Sequence, residues 1–492
     1  MSTSSARTSV SSTELTGAAK LEEVTRLMDK LASDLQHINL LPHQRDALLE
    51  QVKVYGRDPN NSDPIFTKEA GRGIETLTRH AFNSPSLTTS RNALRCLANA
   101  LLLREKTRQI FVDLGYEQKA CNKLKNDSRD DEFLVSRIIF LTTYGTKIDI
   151  EKLIDQYHLA ENICLNISRH AKQFVTKQKK VRELDPMEDM ALIETLKLMF
   201  NLTHFCPQRA AAFSPALQSL IIIMTKRAIS SSKPLEPPIG PLVNSLLNID
   251  LENKDNKSTL YPKATPTITV DRLIEILDKS IRAYQDEELE QNVSPLLTLL
   301  RKVYEIAPKE VQEHTQRALL PSAEDRKQIL GRGTTLPSRL LRLSSNPTTP
   351  QVRESISSLL FELSGKDAKI FVQNVGYGFA SGFLFQHNVP VPENALEAWS
   401  TSDSDSTHAR ASQDSKQGLL GKINPVTGQF LENETNVEMP EMTQDEKERE
   451  AEKLFVLFER LKKTGIMNVK NPVETALNEG RFLELEDDAE SE

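Results

Sequence analysis

Four cysteines and one tryptophan are all that 492 residues supply of either. Cys96, Cys121, Cys164 and Cys206 stand far apart, with no CxxC pair and no histidine at metal-ligand spacing, which excludes a disulfide framework and the common zinc modules. They read instead as reduced, buried thiols of a cytosolic protein. Long apolar runs are also missing. LIIIM at 220–224 falls far short of a membrane span, and MSTSSARTSVSST at the N-terminus has no apolar core of a signal peptide, so a soluble, non-secreted chain is expected. Direct membrane insertion is excluded on the same grounds.

A basic stripe is absent too. The net charge is -7, and residues 400–492 hold 21 acidic against 11 basic residues, leaving 48 against 51 for residues 1–399. A near-neutral body with an acidic tail does not suit a nucleic-acid binder; it suits a protein whose partner is another protein. The chain carries no Walker A sequence, no HExxH and no serine elbow. GYGFASG at 376–382 begins as GxG, but its spacing is wrong for a dinucleotide site and it follows a helix-like run, so its glycines are expected in a tight corner between helices. No catalytic constellation, metal site or cofactor motif is found.

What is present is helical periodicity, from about residue 15 to 399, with little strand-like alternation. Leu21, Val24, Leu27, Met28 and Leu31 mark an opening helix. Related helical stretches then recur, and aligning them on Asn99, Tyr144, Asn201, Asn248, Glu305 and Leu363 gives steps of 45 to 58 residues. The shorter steps match a two- or three-helix armadillo or HEAT unit, and the longer ones leave room for inserted loops. The expected fold is an all-α, armadillo/HEAT-like α-solenoid over residues 1–399. SSKPLEPPIGP (231–241) and LENKDNKSTLYPKATPT (251–267) are read as loops, the second as a long polar insertion.

After Trp399 the character changes. Residues 400–420 form an acidic, Ser-rich linker expected to be disordered, and 421–492 a C-terminal segment. Within that segment, GKINPVTGQF (421–430) carries two turn-forming pairs, Asn424-Pro425 and Thr427-Gly428. A helix is predicted at about 444–464: Thr443 and Glu446 make a capping box, and Gly465 supplies the stop. Ala451, Leu454, Phe455, Phe458 and Leu461 form one apolar stripe. That face needs cover, either on its own solenoid as a terminal cap or on a partner as a helix in a groove.

An armadillo-like array presents a concave face lined by the last helix of each unit, where an asparagine can hold a partner's backbone amide. Asn99 in CLANALLL and Asn201 in LMFNLTHF occupy equivalent repeat positions and are expected to share one groove; local caps or bridges are the alternative for each. Arg72, Arg79, Arg95 and Arg137 would add positive charge. His204, near Cys206 but without two further ligands, reads as core or groove lining.

The helical body with LKLMFNLTHF, the Ser/Asp-rich break, GKINPVTGQF and MTQDEKEREAEKLFVLFERLKKTGIMNV together resemble the synembryn family, known for resistance to inhibitors of cholinesterase. The resemblance implies a non-receptor guanine nucleotide exchange factor and folding chaperone for α subunits of heterotrimeric G proteins, acting by binding and without covalent catalysis. It implies that the concave face, with Asn99 and Asn201, takes the C-terminal helix of Gα. The tail would reach the Gα nucleotide domain, with Gly421, Asn424, Pro425 and Gly428 forming an ordered turn and Leu454, Phe455 and Phe458 belonging to a docking helix. Ser400 and Ser402, each with an acid three residues on, resemble acidic-kinase phosphosites of animal relatives. A cytoplasmic monomer is expected, which would reach the cell cortex through the lipidated G protein. The competing reading is an armadillo-type adaptor or scaffold without exchange activity. Its groove for a basic peptide would be acidic and Trp-rich.

Overall fold

The computed structural model describes residues 15–68, 73–175, 185–390, 423–424, 426–434 and 449. These residues form twenty-two α-helices and no strand. The only β-type pairing among them is an isolated antiparallel bridge between Ile423 and Phe430. The chain divides into two compact units, Met1–Glu432 and Asn433–Glu492, and of the second only Asn433, Glu434 and Arg449 are described.

Within the first unit, helices Pro42–Tyr55, Leu87–Leu103, Arg129–Thr142, Pro186–Phe205, Ile239–Leu247, Ser294–Glu305 and Pro350–Leu363 form a ladder, each rung packed on the next. Shorter helices between the rungs complete each unit. One unit cannot bury its apolar face alone, so stacking builds a continuous core along the array. The opening helix, Gly17–His37, buries Val24, Leu27, Met28 and Leu31 completely and leaves Leu21 on its outer flank.

Local chemistry starts the rungs. The Ser86 side chain accepts from the Thr89 amide, Ser128 from the Asp131 amide and Asp185 from the Met187 amide, each satisfying an otherwise orphaned helix donor. Pro42, Pro186 and Pro350 open three rungs, where the missing N–H costs nothing. The repeat anchors fall at the ends of successive rungs: Asn201 lies in the last turns of its helix, Asn248 follows Leu247, and Glu305 and Leu363 are terminal residues.

The insertion expected at 251–267 folds further than its polarity suggests. Asn253 caps a helix at Lys254–Leu260, and Leu260 and Tyr261 are buried against the array. Those two apolar residues anchor an otherwise polar run. Gly376 sits at φ +82° in the corner between Ala368–Val375 and Tyr377–Gln386, as expected for that glycine. All four cysteines are buried, and burial pushes the thiols of Cys96, Cys121 and Cys164 up to about 12. None of the helices among the described residues is long and apolar enough to cross a membrane.

The segment read as starting at 421 is divided between the two units. Residues 423–424 and 426–432 pack with the helical body because their backbone groups find partners there.

Candidate partner-binding groove

The first four rungs enclose an open pocket of about 450 Å³. Lys53 and Arg57 come from the first rung and its end, and Arg95, Ala98, Asn99, Leu102 and Leu103 from the second. Phe133, Leu134 and Arg137 come from the third, and Met187 and Met190 from the fourth. Arg95, Asn99 and Leu102 recur at i, i+4 and i+7, as Phe133 and Arg137 do at i and i+4, so each helix turns one stripe toward the pocket. The pocket therefore unites three of the expected residues: Arg95, Asn99 and Arg137.

Their electrostatics differ. Arg95 donates to Asp130 Oδ1 at 3.0 Å and Asn92 Oδ1 at 2.9 Å, which hold its guanidinium in place. Arg137 lies 3.7 Å from Glu194 and 5.7 Å over the Phe133 ring. Asn99 is half-buried in the wall and its amide has no hydrogen-bond partner among the described residues. Leu102 is 44% and Met190 41% exposed, so an apolar surface stands open beside these basic side chains.

Beyond the pocket the third and fourth rungs carry a chain of aromatic contacts. Phe140 meets Tyr144 edge-on at 5.3 Å, and Tyr144 meets Phe205 at 5.9 Å. His204 packs against Phe205 at 5.2 Å and stacks on Phe200 at 5.8 Å. His204 is exposed, and Phe205 is 47% exposed.

Asn201 does not join Asn99 in the groove. It is buried, donates from Nδ2 to Thr143 Oγ1 at 2.8 Å and accepts from the Tyr144 hydroxyl at 3.1 Å. Equivalent repeat positions thus hold two different amides, because only Asn201 has hydroxyl side chains from the preceding unit within reach. Asn201→Ala should lower stability by about 1–3 kcal/mol through the orphaned partners. Asn99→Ala should leave the melting temperature unchanged, a contrast that thermal denaturation of both variants would check.

Arg79 lies on Gly73–Asn83, outside the ladder, and pairs with Glu75 at 3.7 Å. It does not line the pocket. Arg72, Pro425, Ser400, Ser402, Leu454, Phe455 and Phe458 lie outside the described residues.

Below the pocket, a buried charged network fixes the start of the fourth rung. His170, fully buried, places Nε2 2.9 Å from Glu132 Oε1 and Nδ1 3.2 Å from Glu188 Oε1. Arg129 reaches Glu132 at 2.9 Å and Glu188 at 2.8 Å, and Thr195 donates to Glu132 at 2.8 Å. Burial opposes the charge on His170, but the hydrogen bond to Glu132 and the nearby Glu188 carboxylate outweigh it and raise its pKa above the ordinary histidine value. Burial likewise opposes the Glu132 carboxylate, yet His170, Arg129 and Thr195 hold its pKa below the usual range. The contact with His170, followed by Arg129, does the same for Glu188. Glu188 adjoins Met187, so this junction sets where the fourth rung presents Met187 and Met190.

A ladder of short helical units with an open groove along its first rungs defines an armadillo/HEAT-like α-solenoid. Within that class, the chain belongs to the Ric8 family, guanine nucleotide exchange factor synembryn, whose family pattern it matches over residues 48–481. The resemblance carried by the NPVTG segment and the tail helix is thereby confirmed. A synembryn-like chaperone of Schizosaccharomyces pombe is 26% identical over 397 residues, spanning 77% of this chain and 72% of that one. Chaperone Ric-8A of Xenopus tropicalis is 24% identical over 487 residues, spanning 91% and 87%. A crystal structure of an engineered protein is 14% identical with a TM-score of 0.38, covering 56% of this chain and 97% of that one, a likeness too slight to bear on function.

Proposed function

We propose that this chain is a guanine nucleotide exchange factor and folding chaperone for α subunits of heterotrimeric G proteins, and that its groove receives the C-terminal helix of Gα. The observation that carries the groove assignment is the open apolar surface of Leu102, Leu103, Phe133 and Met190 beside the basic side chains of Lys53, Arg57, Arg95 and Arg137. An amphipathic helix ending in a carboxylate complements both features. Asn99 offers its amide to the backbone at the helix end, and His204 with the exposed aromatics extends the surface for further apolar side chains. The adaptor reading fits less well, since these basic side chains repel a basic peptide and no tryptophan lines the pocket.

The mechanism needs binding and no covalent step. A protein that holds nucleotide-free Gα more tightly than GDP-bound Gα weakens GDP binding by the same factor, about 1.4 kcal/mol for each tenfold. Drawing the terminal helix of Gα into the groove disturbs the guanine pocket at the helix's other end. Holding an open or nascent Gα on a large surface is also what a chaperone does, so both activities follow from one complex. The protein acts as a monomer, and contact with the cell cortex comes through the G protein.

GDP release from a purified Gα subunit, with the full chain and with a chain ending at Glu432, tests this. Release should accelerate with the full chain and slow markedly on truncation, while binding of the Gα C-terminal peptide persists. Failure of both chains to bind Gα would overturn the proposal.

A further inference from the structure

The NPVTG segment is held by more than its own turn. Asn424 donates its amide to Gln429 O at 2.8 Å and accepts from the Gly428 amide at 2.8 Å. Its Oδ1 accepts from the amides of Val426 at 2.8 Å and Thr427 at 3.2 Å. Gly428, at φ +68°, completes the reversal. The turn then docks on the body: the Phe430 amide donates to Arg326 O at 2.9 Å, the Gly378 amide to Val426 O at 3.2 Å, and the Leu330 amide to Thr427 O at 3.4 Å.

Arg326 is the centre of this contact. It is 8% exposed, and its guanidinium ends on carbonyls: Gly428 O at 2.9 Å, Gln373 O at 3.0 Å and Asn374 O at 2.9 Å. Gln373 and Asn374 close the helix Ala368–Val375, whose C-terminal dipole favours a cation. One side chain thus joins the tail turn to the last helices of the array. Gly376 and Gly378 leave the space for it, since a Cβ on Gly376 would stand 3.0 Å from Val426 O.

We propose that Arg326 is a positioning residue for exchange: it latches residues 423–424 and 426–432, the last described stretch of the first unit, to the helices of the body. Holding the turn in place raises the local concentration of the chain that follows it at a bound partner, with no new contact to that partner. The inference rests on the exchange reading, but the latch can be read out separately.

Two full-length variants disturb it from opposite sides. Arg326→Ala removes the clamp. Gly428→Ala acts from the tail, because its Cβ would meet Leu330 Cδ1 at 2.4 Å and its φ is positive. Hydrogen exchange of the Phe430 and Gly378 amides should accelerate about tenfold or more in both, while the rung Ser294–Glu305 stays protected. The maximal rate of GDP release from Gα should fall about three- to tenfold, with unchanged affinity for the Gα C-terminal peptide. Unchanged amide protection in both variants overturns the latch. Faster amide exchange with an unchanged maximal rate overturns the positioning role. If the native chain fails to accelerate GDP release, the exchange reading and this role fail together, and the amides still decide whether the latch exists.

Discussion

His170→Ala is expected to lower folding stability by about 3–5 kcal/mol, because it leaves Glu132 buried without one of its two cationic partners. His170 is fully buried and meets carboxylates at both ring nitrogens, so the folded state favours the imidazolium. A raised native pKa makes its stabilisation complete below the unfolded histidine value near 6.5 and lost as pH rises through the native value. Glu132 and Glu188 act in the opposite sense. Their depressed native pKa values stabilise above the unfolded glutamate value of about 4.3, and that contribution fades as pH falls through the native values. The junction is therefore strongest between about pH 5 and about pH 6.5, and weakens as pH rises from there through the raised histidine value. Denaturant midpoints measured across pH should decline on the alkaline side for the native chain, and this decline should flatten in His170→Ala. A variant as stable as the native chain would refute the network's role.

The second large effect concerns the open apolar surface of the pocket. Introducing Leu102→Asp and Met190→Asp together should weaken binding of a Gα C-terminal peptide by at least about 2 kcal/mol, some thirtyfold, because two carboxylates would be desolvated where apolar groups dock. Both residues are more than one-third exposed, so the fold should be undisturbed. Calorimetric titration of the peptide measures this directly. Native affinity in the double variant would remove the groove from the mechanism. Arg95→Ala should have a smaller effect, concentrated in the salt dependence and on-rate, since its guanidinium already answers to Asp130.

Sequence made the architecture readable because a solenoid repeats its local pattern. Asn248, Glu305 and Leu363 mark rung ends without any knowledge of packing. Asn99 and Asn201 show where that legibility stops: the same register places one amide in the pocket wall and the other against Thr143 and Tyr144, a difference set by the preceding unit. Phe133, Met187 and Met190 line the pocket, yet in sequence an apolar residue on a helix reads as core. The spacing of charged residues gives no hint of the His170 junction either, because its members lie on three helices and meet only after stacking. Arg326 escapes for another reason: its partners are backbone carbonyls, which have no sequence signature.

The burial of Cys96, Cys121, Cys164 and Cys206 has a practical side. With three of the thiols held near 12, little thiolate is present at neutral pH to meet an alkylating reagent. The native chain is thus its own background for single-site labelling: a cysteine introduced at exposed Glu432 would react first, placing a fluorophore or spin label where the latched turn hands over to the tail.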